Sequence, residues 1–123
     1  MHRLFAQITL AASVALTCSA AVAADQYGAL SYSRARDTYS VALNQASRAA
    51  AERAAMTSCR RLGPDCWSSV WVQNGCVSIA IGGGRGYGSG WGSTRAAAED
   101  EALGVCGAHA PGCYVRHTAC TAE

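Results

Sequence analysis

The sequence predicts an α+β protein: two pseudo-symmetric β-β-α-β repeats that form one antiparallel-sheet domain with two helices, stapled by disulfides. The first observation is a duplication, since residues 47–52 (SRAAAE) recur as residues 94–99 (TRAAAE) 47 positions further along. The second is an even set of six cysteines after residue 24, which in a short exported chain indicates disulfides. The third is that short β-branched and aromatic runs flank both helices, as is typical of strands.

The N-terminus is typical of a cleaved signal peptide, which we assign to residues 1–24. Arg3 precedes an apolar run over residues 4–15, and the small residues that follow fit cleavage after Ala23 or Ala24. The apolar run is shorter than the about 20 residues that a membrane-spanning helix needs. We therefore expect a bacterial protein that is periplasmic or secreted and has no stable membrane anchor after cleavage.

The remaining residues, 25–123, have the length of a single domain, and the repeats within it cover about 27–75 and 76–120. A lipid anchor at Cys18 is the alternative for the N-terminus. Thr17, however, is larger than the residue that usually precedes such a cysteine.

The charge of the mature part is close to balanced. It holds nine of the ten arginines and all eight acidic residues, and the chain contains no lysine. A nucleic-acid binder would show a strong basic excess on one face, so this class is not indicated. A P-loop is excluded because its phosphate-binding lysine is missing.

The first repeat begins with two predicted strands, over residues 29–33 and 38–43. Ser47 then offers an N-cap side chain for an alanine-rich helix that we expect to run to about Arg61. Residues spaced four apart in each helix share one face, so both helices should bury small side chains and end in a cysteine. These buried positions are Ala51, Ala55, Cys59, Ala98, Ala102 and Cys106.

The strand predicted over residues 67–73 alternates, which places Trp67, Ser69 and Trp71 on one face. After it, Asn74-Gly75 is the sequence of a type I′ turn and predicts a hairpin.

This hairpin would lead into a strand over residues 76–81. Further strands are predicted over residues 86–92 and 114–120.

The repeat also suggests how the cysteines pair. Cys59 corresponds to Cys106 and Cys66 to Cys113 at the offset of 47, and Cys76 corresponds to Cys120 at an offset of 44. Pairing within each repeat leaves the last two equivalent cysteines to join across the pseudo-twofold. The predicted disulfides are Cys59–Cys66, Cys106–Cys113 and Cys76–Cys120.

Four segments together resemble the bacterial family called domain of unknown function 4189: residues 27–32 (YGALSY), 47–52 (SRAAAE), 65–71 (DCWSSVW) and 86–92 (GYGSGWG). The resemblance implies a small exported protein with disulfides, and it supplies no catalytic residues. This chain departs from it by a second repeat that is shorter between its last two cysteines.

No catalytic, metal or nucleotide motif is present, so we expect a non-enzymatic protein with no metal and no cofactor. The spacings of serine-hydrolase and zinc-protease motifs are missing. His109 and His117 stand alone, and the carboxylates at residues 99–101 complement a helix N-terminus.

The glycine-rich segment over residues 82–92 is the strongest candidate for function. In one interpretation it is a hairpin whose Tyr87 and Trp91 pack on one face. In the other it presents these rings, together with Arg85 and Trp71, as a binding surface. We expect a non-catalytic binding or inhibitor-like module for another exported or host protein; the alternative is a binder or weak hydrolase of cell-wall glycan.

Overall fold

A computed structural model describes residues 11–15 and 24–122 of the chain. The predicted signal peptide lies largely outside these residues, as does Cys18, and both assignments stay predictions. From residue 27 onward the chain forms six strands and two helices. In chain order these are β1 (Tyr27–Ser33), β2 (Thr38–Gln45), α1 (Arg48–Arg60), β3 (Trp67–Gln73), β4 (Cys76–Ile81), β5 (Tyr87–Gly92), α2 (Arg95–Gly107) and β6 (Tyr114–Cys120).

The strands form two antiparallel three-stranded sheets, with the orders β2-β1-β3 and β5-β4-β6. Each sheet with its helix is one β-β-α-β unit, which confirms the predicted fold class. Helix α1 packs on one face of the first sheet and α2 on one face of the second. The other faces pack against each other, so the layers follow the order helix, sheet, sheet, helix.

The core lies between the two sheets. Leu30 and Tyr32 of β1 pack there against Val77, Ile79 and Ile81 of β4. Both central strands are buried along nearly their whole length, because each has a helix on one face and the opposite sheet on the other. In these two strands, small residues that face a helix therefore alternate with larger residues that face the other sheet.

Both helices begin at the predicted N-caps. The Ser47 hydroxyl accepts a hydrogen bond from the backbone N–H of Ala50 at 3.1 Å, and the Thr94 hydroxyl accepts one from Ala97 at 3.2 Å. The six small residues predicted to be buried are all buried, and both helices end within a residue or so of the expected position.

The glycines of β5 form the surface on which α2 lies. Gly88, Gly90 and Gly92 face the helix, and a Cβ at Gly88 would lie 2.2 Å from the backbone nitrogen of Cys106. A Cβ at Gly90 would lie 2.5 Å from the backbone nitrogen of Ala102. The absence of side chains thus lets helix backbone and strand backbone meet directly.

The prediction of a hairpin at Asn74-Gly75 is wrong. The structure pairs β3 with β1, and it pairs β4 with β5 and β6, so residues 74–75 connect two different sheets. Asn74 has a φ of 51°, and its N–H donates to the carbonyl oxygen of Gln26 at 2.8 Å, which extends the contact between β3 and the β1 side. Gly75 instead bonds to Thr121 beyond β6. The turn residues therefore link the two units.

The structure contains the disulfides Cys59–Cys66, Cys106–Cys113 and Cys76–Cys120. The first two tie the end of a helix to the strand that follows it. The expectation that the third crosses the pseudo-twofold is wrong, because Cys76 opens β4 and Cys120 ends β6 within one sheet.

The two cysteines of this cross-strand disulfide are also not equivalent positions in the repeat. Strands β3 and β6 have the same length of seven residues, so Cys120 corresponds to Gln73 at the constant offset of 47. The second repeat is therefore not shortened after Cys113, and the first unit simply lacks a counterpart to Cys76–Cys120.

Candidate binding edge

The candidate site lies where an outer strand of one sheet runs beside an outer strand of the other. Strand β3 pairs only with β1, and β5 pairs only with β4, so each has one side free of strand partners within the described chain. We call this side of the molecule the β3–β5 edge. It carries all three tryptophans of the sequence, which are Trp67, Trp71 and Trp91.

A bulge in β3 directs its two tryptophans to opposite faces. The register between β1 and β3 shifts after Leu30, so Trp71 lies opposite Ala29 and Trp67 lies opposite Tyr32. Ala29 faces α1, whereas Tyr32 faces the second sheet. The prediction that both tryptophans share one face is therefore wrong, because simple alternation does not account for an extra residue in the strand.

A pair of serines joins the two strands at the centre of the edge. The hydroxyl oxygens of Ser69 and Ser89 lie 2.5 Å apart, and the Ser89 hydroxyl lies 3.3 Å from the carbonyl oxygen of Ser69. Ser69 is the bulged residue that has no partner on β1. The bulge therefore turns the Ser69 hydroxyl toward β5 and divides the edge into two grooves.

The first of these, which we call the Trp groove, has a volume of about 520 Å³. Its walls combine indole rings with hydroxyl, amide and carboxylate groups. It is lined by Ser69, Val70, Trp71, Val72, Gln73, Ser89, Trp91 and Glu101. A ring face beside several hydrogen-bonding groups can bind either a planar part of a protein or a sugar ring.

The two tryptophans of the Trp groove differ in how firmly they are held. Trp91 leaves 56 % of its surface exposed. Trp71 is half-buried, with the Arg48 guanidinium 4.4 Å above its ring and Tyr27 stacked at 6.5 Å. Trp71 is thus a fixed wall, held by a cation–π contact, and Trp91 is the accessible ring.

The second groove, the Arg groove, has a volume of about 490 Å³ and lies beyond the serine pair. Arg34, Trp67, Arg85 and His109 are among its lining residues. The Nε of Arg34 donates to the carbonyl oxygen of Arg85 at 3.0 Å, which joins the β1–β2 turn to the turn that precedes β5. Both guanidinium groups therefore stand at the mouth of this groove.

Tyr87 forms the floor between the Arg groove and the core. Its ring lies 4.7 Å from that of Tyr32 and meets Trp67 edge-on at 6.1 Å. Burial raises the pKa of the Tyr87 hydroxyl. Tyr87 is therefore mainly a packing residue, whereas Trp67 leaves 48 % of its surface exposed above it.

The four residues predicted to bind thus occupy the same edge but two grooves. Arg85 and Tyr87 line the Arg groove, Trp71 and Trp91 line the Trp groove, and their role in binding stays a prediction. Sequence reasoning did not assign the serine pair or Gln73 to the site. It assigned Glu101 to a helix N-terminus, which is wrong, because α2 begins at Arg95 and its first turn holds no acidic residue. The bulge and the packing of α2 beside β5 bring these groups together, and neither leaves a local sequence signal.

The Ser89 hydroxyl lies at the centre of the edge. The hydrogen bonds of Ser89 go to Ser69, whereas a nucleophilic serine requires a base within hydrogen-bond reach. Across the described residues, no cluster of three or more His, Cys, Asp or Glu side chains could hold a metal ion. Nor does any helix of residues 24–122 combine the length and apolar character needed to cross a membrane.

The fold and this edge define a class: a small α+β protein of two disulfide-stapled repeats with an open aromatic edge. The chain belongs to the family described as Domain of unknown function (DUF4189), which matches residues 27–120. No curated protein and no solved structure matches the chain. Its three disulfides indicate an oxidising, extracytoplasmic environment.

Proposed function

We propose that the protein is a non-catalytic binding module that engages another exported or host protein along the β3–β5 edge. The observation that carries the proposal is the row of three tryptophans along two strand edges without further strand partners. Trp, Tyr and Arg are the residues most enriched among those that dominate protein–protein binding energy. All three types line these grooves.

The scaffold beneath the edge supports this function. Two disulfides fix the ends of the helices, and the Cys76–Cys120 disulfide fixes β4 against β6. A binding surface that is already rigid loses little conformational entropy when a partner binds. The free sides of β3 and β5 also offer backbone N–H and C=O groups to an extended partner segment.

The test is affinity capture by the purified, oxidised protein from an extract of the envelope and secreted fraction, with Trp91→Ala and Tyr114→Ala baits alongside. Tyr114 is a matched control, since it is 54 % exposed, against 56 % for Trp91, but lies on β6. We expect a partner that the wild type and Tyr114→Ala retain and Trp91→Ala loses. The same proteins on all three baits would contradict the proposal.

A glycan ligand is the second candidate, and the composition of the Trp groove favours it. Gln73 and Glu101 stand beside the exposed ring of Trp91. Amide and carboxylate groups around an aromatic face suit the hydroxyls and the apolar face of a sugar. Sedimentation with purified cell-wall polysaccharide tests this candidate: Trp91→Ala should remain in the supernatant, and wild-type protein that also stays there would exclude it.

A further inference from the structure

The arginines of the protein are concentrated at the end of the sandwich where both helices finish. Six of them lie there with two aspartates, which leaves a formal charge of +4. The rest of residues 24–122 carries three arginines and five carboxylates. The total charge of the chain is near neutral, but this end of the molecule is strongly basic. We call it the basic end, and its arginines are Arg34, Arg36, Arg60, Arg61, Arg85 and Arg116.

The contacts of these residues show that they form one surface. Arg34 bonds to the backbone of Arg85, and Arg36 shares one depression with Arg85 and another with Arg60 and Arg61. All five of these side chains are exposed, and none of them forms an ion pair within the part of the chain that the structure describes.

The two aspartates of the basic end are already engaged. Asp37 pairs with Arg116 at 2.9 Å and accepts a hydrogen bond from the Tyr32 hydroxyl at 3.0 Å. Asp65 accepts hydrogen bonds from the Ser33 hydroxyl and from the N–H of Ala35 at 3.0 Å. The Ser33 bond is the main cause that lowers the pKa of the Asp65 carboxyl.

Exposed apolar side chains lie at the same end. Of the five large apolar residues that are exposed in residues 24–122, Trp91 alone lies elsewhere. Leu62 directly follows Arg60 and Arg61 and lines a depression with them, and Trp67 lines the Arg groove. The four exposed apolar residues of this end are Leu62, Trp67, Val105 and Tyr114.

We propose that the basic end docks on the surface of a bilayer that contains anionic phospholipids. Guanidinium groups pair with lipid phosphates, Trp and Tyr favour the headgroup region, and an exposed leucine enters the acyl boundary. Arginines from separate segments of the chain, next to exposed apolar residues, match this layered environment. The basic end shares Arg34, Trp67 and Arg85 with the Arg groove of the proposed partner surface, but Trp91 lies outside it, so a Trp91 variant separates the two proposals.

The test is sedimentation of the purified, oxidised protein with vesicles of phosphatidylcholine alone or with about 40 % phosphatidylglycerol. We expect binding to the anionic vesicles that weakens as salt is added. Arg60→Gln/Arg61→Gln should weaken it by roughly 30-fold, since each basic side chain near such a surface contributes about fivefold. The matched control is Arg53→Gln, an exposed arginine on the same helix but outside the basic end, which should bind as the wild type does.

Two further variants keep the result decisive. Leu62→Ala should weaken vesicle binding several-fold, whereas Trp91→Ala should leave it unchanged while it abolishes partner capture. Equal binding to neutral vesicles, or a loss in Arg53→Gln as large as that in Arg60→Gln/Arg61→Gln, would overturn the proposal. So would a protein that ignores the vesicles but binds a poly-glutamate peptide, since the basic end would then recognise acidic protein. Circular dichroism confirms that each variant is folded.

Discussion

The β3–β5 edge and the β2–β6 edge are equivalent in the repeat, because β3 corresponds to β6 and β5 to β2, yet different side chains bridge them. At the β2–β6 edge, Tyr39 stacks on His117 at 4.9 Å, and Asp37 pairs with Arg116 at 2.9 Å. At the β3–β5 edge, the central contact is the serine pair, and a groove opens on each side of it.

Single replacements at equivalent positions account for much of this difference. Ser69 corresponds to Arg116 at the constant offset of 47. The β3–β5 edge therefore has a short hydroxyl side chain at the position where the β2–β6 edge has a long, charged arginine. Trp71 corresponds to Thr118, which bonds to Ser78 and Glu99 inside its own unit. The two equivalent edges thus differ in the side chains that join their strands.

The two units also differ in how they hold their helices. The register places Thr38, Ser40 and Ala42 of β2 where β5 has its three glycines. The second unit therefore combines direct backbone contact with α2 and a cross-strand disulfide. The first unit lacks both features, and its α1 is joined to β3 by the Arg48 contact with Trp71 and by the bond from Ser68 to Glu52.

The largest effect is expected from the disulfide that only the second unit has. Replacing Cys76 and Cys120 by alanine should lower the free energy of unfolding by about 4 kcal/mol, because the bond closes a long loop. The matched replacement of Cys59 and Cys66 should cost about 2.5 kcal/mol. Urea titrations measure both; a larger loss for the short loop would contradict the comparison.

Substitution of a β5 glycine that faces α2 should give the next largest effect. Gly90→Ala should lower the free energy of unfolding by about 3 kcal/mol, since its Cβ meets helix backbone that cannot move aside. Ser40→Ala at the equivalent position of the first unit should cost less than about 1 kcal/mol. Similar losses in thermal unfolding of the two variants would show that the helices are held in the same way.

The buried hydroxyl of Tyr32 in the core predicts a response to alkali. Burial, and then the bond to Asp37, raises the pKa of Tyr32 above its ordinary value of 10.0. The unfolded chain loses this proton first, so stability should be constant below pH 10 and fall above it. Tyr32→Phe should cost about 1 kcal/mol at neutral pH.

Unfolding curves recorded between pH 8 and pH 11 check this prediction. Tyr32→Phe should show a shallower alkaline loss than the wild type, and curves of identical slope would argue against a role for this hydroxyl.

The smallest effect concerns the Arg116–Asp37 ion pair at the β2–β6 edge. Arg116 and Asp37 keep 35 % and 49 % of their side-chain surface exposed, so solvent screens their attraction. Arg116→Gln should cost about 0.5 kcal/mol, and high salt should remove most of the difference from the wild type. A salt-independent loss above that would indicate that the arginine acts mainly by packing on Tyr39.

Much of the fold could be predicted from the sequence because its signals are local. Strand composition and alternation predicted β3, β4 and β6 with their observed bounds. Alanine content predicted the two helices, and the N-caps at Ser47 and Thr94 gave their starts. The failures have non-local causes. Asn74-Gly75 is a hairpin signal, but which strand pairs with β3 is decided by packing against β1 and α1.

The site was harder to predict than the fold. The aromatic and glycine residues of the β3–β5 edge stand out in the sequence, and this located the correct segment. Their arrangement depends on the bulge at Ser69, which sends Trp67 and Trp71 to different faces. It depends as well on Tyr87 filling core space beside Tyr32, which leaves Trp91 as the accessible ring.

The central claim is that the β3–β5 edge, and not the equivalent β2–β6 edge, binds the partner. The most direct measurement is the dissociation constant of the captured partner by titration calorimetry for wild type, Trp91→Ala and Tyr114→Ala. A central aromatic anchor predicts a loss of about 30-fold or more for Trp91→Ala, and affinity within about twofold of the wild type for Tyr114→Ala. Equal affinities for all three proteins would contradict the account.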